Sequence, residues 1–149
     1  MVLAGSETAA VGDTATGEIR VLVVEDDMDM RANIRDGLSL LGFSVMTAAD
    51  GLEGARLAVE NEFEVVVSDI RLPGLSGTDL SRKINGGPRP PKVILITAYP
   101  GVETVQEASL SGAVHFLSKP LSIRVLAQAV HLAAMERKVG HAMLRRPGG

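Results

Sequence analysis

The sequence predicts an α/β fold in which five parallel strands form one doubly wound sheet with helices on both faces. Five short apolar runs alternate with five helix-like segments along the chain, a pattern typical of strand-helix-strand units and a parallel sheet. In addition, a length of 149 residues, with 46% hydrophobic and 22% charged residues, fits one domain with a buried core. A second folded domain is not expected.

The apolar runs are four to six residues long, and several are continuous and β-branched. Such runs are expected of strands that are covered on both faces. The predicted strands are Ile19–Val24, Phe43–Thr47, Phe63–Ser68, Lys92–Thr97 and Val114–Leu117.

The predicted helices lie between and after these runs, and several end near glycines that can terminate a helix. In the first of them Ile34, Leu38 and Leu41 fall at i, i+4 and i+7 and form one apolar stripe. Right-handed crossovers then place the functional crevice at the carboxyl ends of the strands. The predicted helices are Asp29–Leu41, Gly51–Glu60, Gly77–Ile84, Val102–Ser111 and Ser122–Lys138, and the glycines are Gly42, Gly86, Gly87 and Gly112.

The two ends of the chain differ from this pattern. Residues 1–18 are mainly Gly, Ala, Ser and Thr with scattered acids and no period, so we expect a flexible leader there. We expect the folded domain at residues 19–138 and a flexible tail with a loose basic character at residues 139–149.

Composition and charge narrow the function classes. Fifteen Lys and Arg against 18 Asp and Glu give a net charge of −3, too small to suggest electrostatic capture of nucleic acid or an anionic membrane. The absence of Cys excludes disulfides, thiolate zinc sites and cysteine nucleophiles. No secretory signal is evident, and no apolar run reaches the roughly 18 residues that span a bilayer. We therefore expect a cytoplasmic protein with no direct contact with nucleic acid or membrane.

Charged and polar residues follow four of the predicted strands. Glu25, Asp26 and Asp27 follow the first, Asp69 the third and Lys119 the fifth, and Thr97 ends the fourth. Carboxylates brought this close repel one another unless a cation is bound, and an all-oxygen cluster favours Mg²⁺. Asp69 can then act as a nucleophile that forms an acyl phosphate, with Lys119 offsetting charge and Thr97 donating a hydrogen bond.

Four segments at consistent spacing carry a family resemblance. The segments VLVVEDD, VVVSDIRLPGLSG, VILITAY and GAVHFLSKPL resemble, in order, the motifs of the response-regulator receiver family, and the match covers about residues 19–138. The resemblance implies the flavodoxin-like (βα)5 fold with strand order 2-1-3-4-5. It also implies a turn after the third strand built on Pro73, Gly74 and Gly77, and a cis peptide bond between Lys119 and Pro120.

The resemblance assigns a role to each site residue. It implies a metal site for Mg²⁺, a phosphoacceptor and a switch that reports phosphorylation by turning an aromatic ring from exposed to buried. The roles are the acidic pair at Glu25 and Asp26, the phosphoacceptor at Asp69, a metal-ligating backbone carbonyl at Arg71, the switch hydroxyl at Thr97, the aromatic switch at Phe116 and the family's lysine at Lys119. Asp27 is left as a helix cap or a supporting residue.

The function implied is that of a switch whose only chemistry is directed at itself. A partner histidine kinase, a phosphotransfer protein or a small phosphodonor would phosphorylate Asp69. Phosphorylation would change a surface at about residues 102–111, 114–117 and 122–135, where the family binds partners or forms homodimers. Arg71 and Tyr99, two residues past Asp69 and Thr97, would flank the phosphoryl group and slow its hydrolysis.

The partners are not identified by the sequence. No output domain fits after the last predicted helix, so we expect action through an unknown downstream protein. The chain could be a stand-alone regulator or a receiver from a larger protein.

Three other classes of protein share part of this pattern. A haloacid-dehalogenase-like phosphatase would use Asp27 of the Asp27-Met28-Asp29 triplet as nucleophile, but no cap domain is evident. An FMN carrier would need a Ser/Thr/Gly-rich phosphate loop where this chain has Glu25, Asp26 and Asp27. A receiver-shaped interaction protein that has lost phosphorylation would lack residues that are all present here.

Overall fold

The computed structural model describes residues 18–144, which form one five-stranded parallel sheet with order β2-β1-β3-β4-β5. The predicted fold and strand order are therefore confirmed. The strands are β1 (Arg20–Val24), β2 (Ser44–Ala48), β3 (Val65–Asp69), β4 (Lys92–Thr97) and β5 (His115–Ser118). The helices are α1 (Met28–Leu40), α2 (Gly51–Glu60), α3 (Gly77–Asn85), α4 (Val102–Leu110) and α5 (Ile123–Leu144).

The core has two layers, one on each face of the sheet. Val21 and Val23 of β1 pack into a cluster with side chains of α1 and α5, whereas Leu22 and Val24 pack into a second cluster with side chains of α2, α3 and α4. Successive side chains of a strand point to opposite faces, so a strand that is buried on both faces must be apolar at every position. Burial on both faces therefore explains why the strands are continuous apolar runs in the sequence.

Helix ends follow the local signals. The Asp27, Asp50 and Ser76 side chains cap α1, α2 and α3 by accepting hydrogen bonds from backbone N–H groups in the first turn. Gly42 and Gly112, which follow α1 and α4, have φ values of 98° and 95°, a left-handed conformation that glycine adopts without steric penalty.

The largest difference from the predicted elements is the end of α5. We expected this helix to end at Lys138, but it continues to Leu144, so residues 139–144 of the predicted tail are helical. The Arg137 side chain donates hydrogen bonds to the carbonyls of Pro90 and Arg89, which holds this part of the helix against the loop before β4. Gly140 lies within this helix and does not adopt a positive φ.

Three strands also lie one or two residues further along the chain than predicted. Phe63 precedes β3 instead of starting it, although its ring is buried, with 3% of its surface exposed. The strand is defined by backbone pairing, which begins where Val65 faces Val21 and Lys92, and not by apolar character.

Residues 1–17 and 145–149 lie outside the described part of the chain, so the leader and the domain limits remain predictions. None of the helices within residues 18–144 has the length and apolar character that a membrane crossing requires.

Candidate functional site

The carboxyl edge of the sheet brings the predicted site residues together. In the strand register Val24 faces Ser68, and Thr97 faces Ser118. The carboxyl ends of β1, β3, β4 and β5 therefore lie side by side. The residues that follow β1 and β5 meet those that end β3 and β4 there. This is the edge at which doubly wound sheets bind their ligands.

An acidic cluster forms the centre of the site. One carboxylate oxygen each from Glu25, Asp26 and Asp69 lie within 4.8 Å of one another. Glu25 and Asp69 are buried, whereas Asp26 is exposed. The Arg31 guanidinium donates a 2.9 Å hydrogen bond to the backbone carbonyl of Glu25 and thereby holds the loop that carries two of the acids.

Both carboxylate oxygens of Asp69 have a donor. The Lys119 ammonium lies 2.6 Å from Oδ2, and the backbone N–H of Arg71 donates to Oδ1 at 3.0 Å. Lys119 also lies 3.8 Å from Oε1 of Glu25, so one cation faces two buried acids. These contacts fix the direction of the Asp69 carboxylate.

The electrostatics show that the acidic cluster is short of positive charge. Burial raises the pKa of Glu25 from 4.5 to about 7, and the Asp69 charge adds to the rise, while the Asp27 backbone N–H and Lys119 oppose it. Burial alone would lower the pKa of Lys119, but its hydrogen bond to Asp69 and the surrounding acids outweigh burial and raise it. Near neutral pH and in the absence of a metal ion, Glu25 is therefore expected to be about half protonated, while Lys119 stays charged.

The loop after β3 is packed too closely for a side chain at Gly77. A Cβ atom there would overlap the backbone oxygen of Asp69 and lie 2.8 Å from Cα of Ile70. Gly77 also donates its N–H to the carbonyl of Ile70 at 2.8 Å. At Gly77, the predicted turn therefore lies directly against the Asp69 backbone. The Lys119–Pro120 bond is cis, as the resemblance implied.

A crevice of about 570 Å³ opens beside the acidic cluster. Asp26, Thr97 and Thr104 line it. Arg71 and Tyr99 also line it, and the Arg71 guanidinium stacks on the Tyr99 ring, 4.8 Å from the ring centroid. Sequence reasoning did not find Arg31 or Thr104, since neither belongs to a strand-end motif.

The remaining site residues have clear positions. The Thr97 hydroxyl is buried and accepts a 3.0 Å hydrogen bond from the Tyr99 backbone N–H. Phe116 is half-buried against the cluster that contains Leu95 and Ala108, whereas the expected switch starts from an exposed ring. Asp27 caps α1 through Met30 and donates its backbone N–H to Glu25, so it supports the cluster from outside it.

Comparison with known proteins identifies the family to which this fold and this acidic site belong. The chain matches the response regulator receiver domain family over residues 21–131. The transcriptional regulatory protein PrrA of Mycobacterium tuberculosis is 35% identical over 136 residues, which cover 91% of this chain and 54% of PrrA. The probable chemotaxis protein CheY of Rhizobium etli is 32% identical over 116 residues, which cover 76% of this chain and 90% of that protein. The chain thus spans about half the length of PrrA, and it spans 26% of the transcriptional regulatory protein DctD of Pseudomonas aeruginosa.

Solved structures show the same architecture. The receiver domain of Francisella response regulator 1452 superposes with a TM-score of 0.76 at 28% identity, covering 80% of this chain and 98% of that domain. A receiver domain from Clostridium thermocellum gives 0.75 at 31% identity, covering 81% and 98%. The strand order and the acidic cluster at the carboxyl edge define a flavodoxin-like α/β domain with a candidate metal site. The chain belongs to the response regulator receiver family of two-component signalling.

Proposed function

We propose that this chain is a phosphoacceptor switch in which Asp69 is phosphorylated in a Mg²⁺-dependent reaction. The phosphoryl group comes from a partner histidine kinase, a phosphotransfer protein or a small phosphodonor. The observation that carries the proposal is the buried Asp69 carboxylate, held by Lys119 at 2.6 Å within a cluster of three acids. A cytoplasmic location goes with this function and remains a prediction.

The donor set fits Mg²⁺. The ligand atoms are carboxylate oxygens, which hard divalent cations prefer, and burial leaves Glu25 reluctant to ionise until another positive charge is present. Glu25, Asp26 and Asp69 would hold the ion, with the Arg71 backbone carbonyl as a further ligand. When bound, Mg²⁺ supplies positive charge against the oxygens of the transferred group.

The chain's own residues position the transfer. An oxygen of Asp69 bonds to phosphorus while the bond from phosphorus to the donor's nitrogen or oxygen breaks, and the leaving group takes the electron pair. Lys119 stabilises the added negative charge, because it stays protonated beside Asp69. The Thr97 hydroxyl exchanges its contact with the Tyr99 N–H for one with a phosphoryl oxygen.

The output is a change of surface at α4, β5 and α5. Movement of Thr97 leaves space next to β5, and Phe116 turns further into the core to fill it. Its half-buried starting position means that the movement is a deepening of an existing contact. A downstream protein or a second copy of the chain would recognise the altered surface.

Intact mass measurement tests the phosphoacceptor. The protein is incubated with acetyl phosphate and Mg²⁺, and one added phosphoryl group is expected. Asp69→Asn should abolish the addition, whereas the matched control Asp27→Asn should retain it, since Asp27 lies outside the cluster. An addition lost in Asp27→Asn and kept in Asp69→Asn would instead support the phosphatase-like alternative.

A further inference from the structure

A second cavity, of about 350 Å³, lies at the amino edge of the sheet, opposite the edge that carries Asp69. Its floor is apolar and buried: Ala55, Phe63 and Ile84 have 8%, 3% and 8% of their surfaces exposed. It shares no lining residue with the crevice beside the acidic cluster. The two sites are therefore separate in space.

One wall of this cavity is a proline-rich loop, and α5 holds it in place. The loop is Gly87-Pro88-Arg89-Pro90-Pro91, and Arg137 of α5 donates hydrogen bonds to the Pro90 and Arg89 carbonyls at 3.2 and 3.3 Å. Each proline fixes its own φ angle, so few backbone motions remain that could close the cavity. The site is largely pre-formed, as ligand sites usually are.

The rim of the cavity is cationic although the chain carries a net charge of −3. Lys83, Arg89 and Arg137 line it, and Glu62 is the one acid among the lining residues, 3.9 Å from Arg89. The rim thus has an excess of positive charge over an apolar floor. A cation or a neutral polar molecule would gain little there.

We propose that this amino-edge cavity binds a small amphipathic anion, with an apolar body on Phe63 and Ile84 and one carboxylate at the cationic rim. The volume lies at the small end of the range of about 300–1,000 Å³ for ligand pockets, which fits a single compact molecule better than a protein segment. The apolar body supplies affinity through burial, and Lys83 selects the charge, since Arg89 already lies 3.9 Å from Glu62. Arg137 stabilises the wall of the cavity, because its guanidinium already donates hydrogen bonds to the carbonyls of the proline-rich loop.

Ligands that differ only in the head group test this proposal on the full chain. Decanoate, 1-decanol and decyltrimethylammonium are titrated below their micelle-forming concentrations, and backbone amide signals are followed by NMR. Decanoate should shift the signals of residues 55–63 and 83–91 and bind about tenfold more tightly than decyltrimethylammonium. Equal affinity of the two, or decanoate shifts confined to other surfaces, would overturn the proposal.

Variants separate the charge from the apolar floor. Lys83→Gln should weaken decanoate binding by about two- to fivefold, whereas the matched control Arg82→Gln should not, since Arg82 faces Asp79 and does not line the cavity. Ala58→Leu places extra volume at a half-buried lining position and should abolish binding while thermal unfolding shows an intact fold. Unchanged affinity in Ala58→Leu would contradict the site. Contacts from residues 1–17 to Phe63 in the ligand-free chain would show that the chain's own acidic segment is the occupant, and would also overturn the proposal.

Discussion

Magnesium binding at the carboxyl edge should depend steeply on pH because of Glu25. Its pKa of about 7 means that the group must lose a proton before it can help to hold the ion. About one Glu25 in eleven is ionised at pH 6 and about ten in eleven at pH 8. If only the ionised form contributes, the apparent Mg²⁺ affinity should rise about tenfold between these pH values.

Isothermal titration calorimetry provides the assay. Repeating the titration in buffers with different ionisation enthalpies counts the protons released, and about one per Mg²⁺ is expected near pH 6. Glu25→Gln should bind more weakly at pH 8 and lose most of the pH dependence. Asp26→Ala should weaken binding strongly at both pH values yet keep the dependence on pH, because Glu25 remains. Equal Mg²⁺ affinity at pH 6 and pH 8 in the unmodified chain would refute the reasoning about Glu25.

The same shift affects stability in the absence of metal. A carboxyl group whose pKa is raised on folding stabilises the folded state below its unfolded pKa of 4.5, and this contribution is lost as the pH rises through about 7. In EDTA at about pH 8, Glu25→Gln should therefore raise the free energy of unfolding, by up to about 3 kcal/mol. Added Mg²⁺ should reverse the order of the two proteins. Chemical denaturation of both proteins at pH 6 and pH 8, in EDTA and with Mg²⁺, measures the effect of the substitution and the effect of the metal ion.

Three further results are expected. Gly77→Ala should lower the free energy of unfolding by about 1–3 kcal/mol, since the new methyl group meets backbone, while Gly86→Ala should be nearly neutral; denaturant unfolding compares them. Arg71→Ala combined with Tyr99→Ala should speed the loss of phosphate from Asp69 without abolishing phosphorylation, because the stacked pair lines the crevice beside the acidic cluster and would crowd the approach of the attacking water; equal or slower decay after donor removal would show that these side chains do not shield the acyl phosphate. Beryllofluoride with Mg²⁺ should shift the amide signals of α4, β5 and α5, and an unchanged spectrum there would exclude the switch.

Much of the fold could be predicted from the sequence because burial on both faces leaves a direct trace in it. A strand such as β1 must be apolar at each position, and a parallel sheet needs a helix between successive strands, so the runs and their spacing define the architecture. The strand ends then bring Asp69 and Lys119 to one edge by topology alone. The pattern did not indicate the residue at which backbone pairing begins. Phe63, for example, is buried but lies before the start of β3.

Contacts between distant segments were decided only by the tertiary structure. No motif indicates that Arg31 holds the acidic loop, that Arg71 stacks on Tyr99, or that Arg137 of α5 binds the carbonyls before β4. Long side chains have many rotamers, and the partner of each is selected by which backbone groups the folded chain brings within reach. The sequence by itself therefore determined the order of the elements and the residue types at the site, because these follow from periodicity and topology. The degree of burial of Glu25, and with it the pKa on which metal binding depends, came only from the packing of the folded chain.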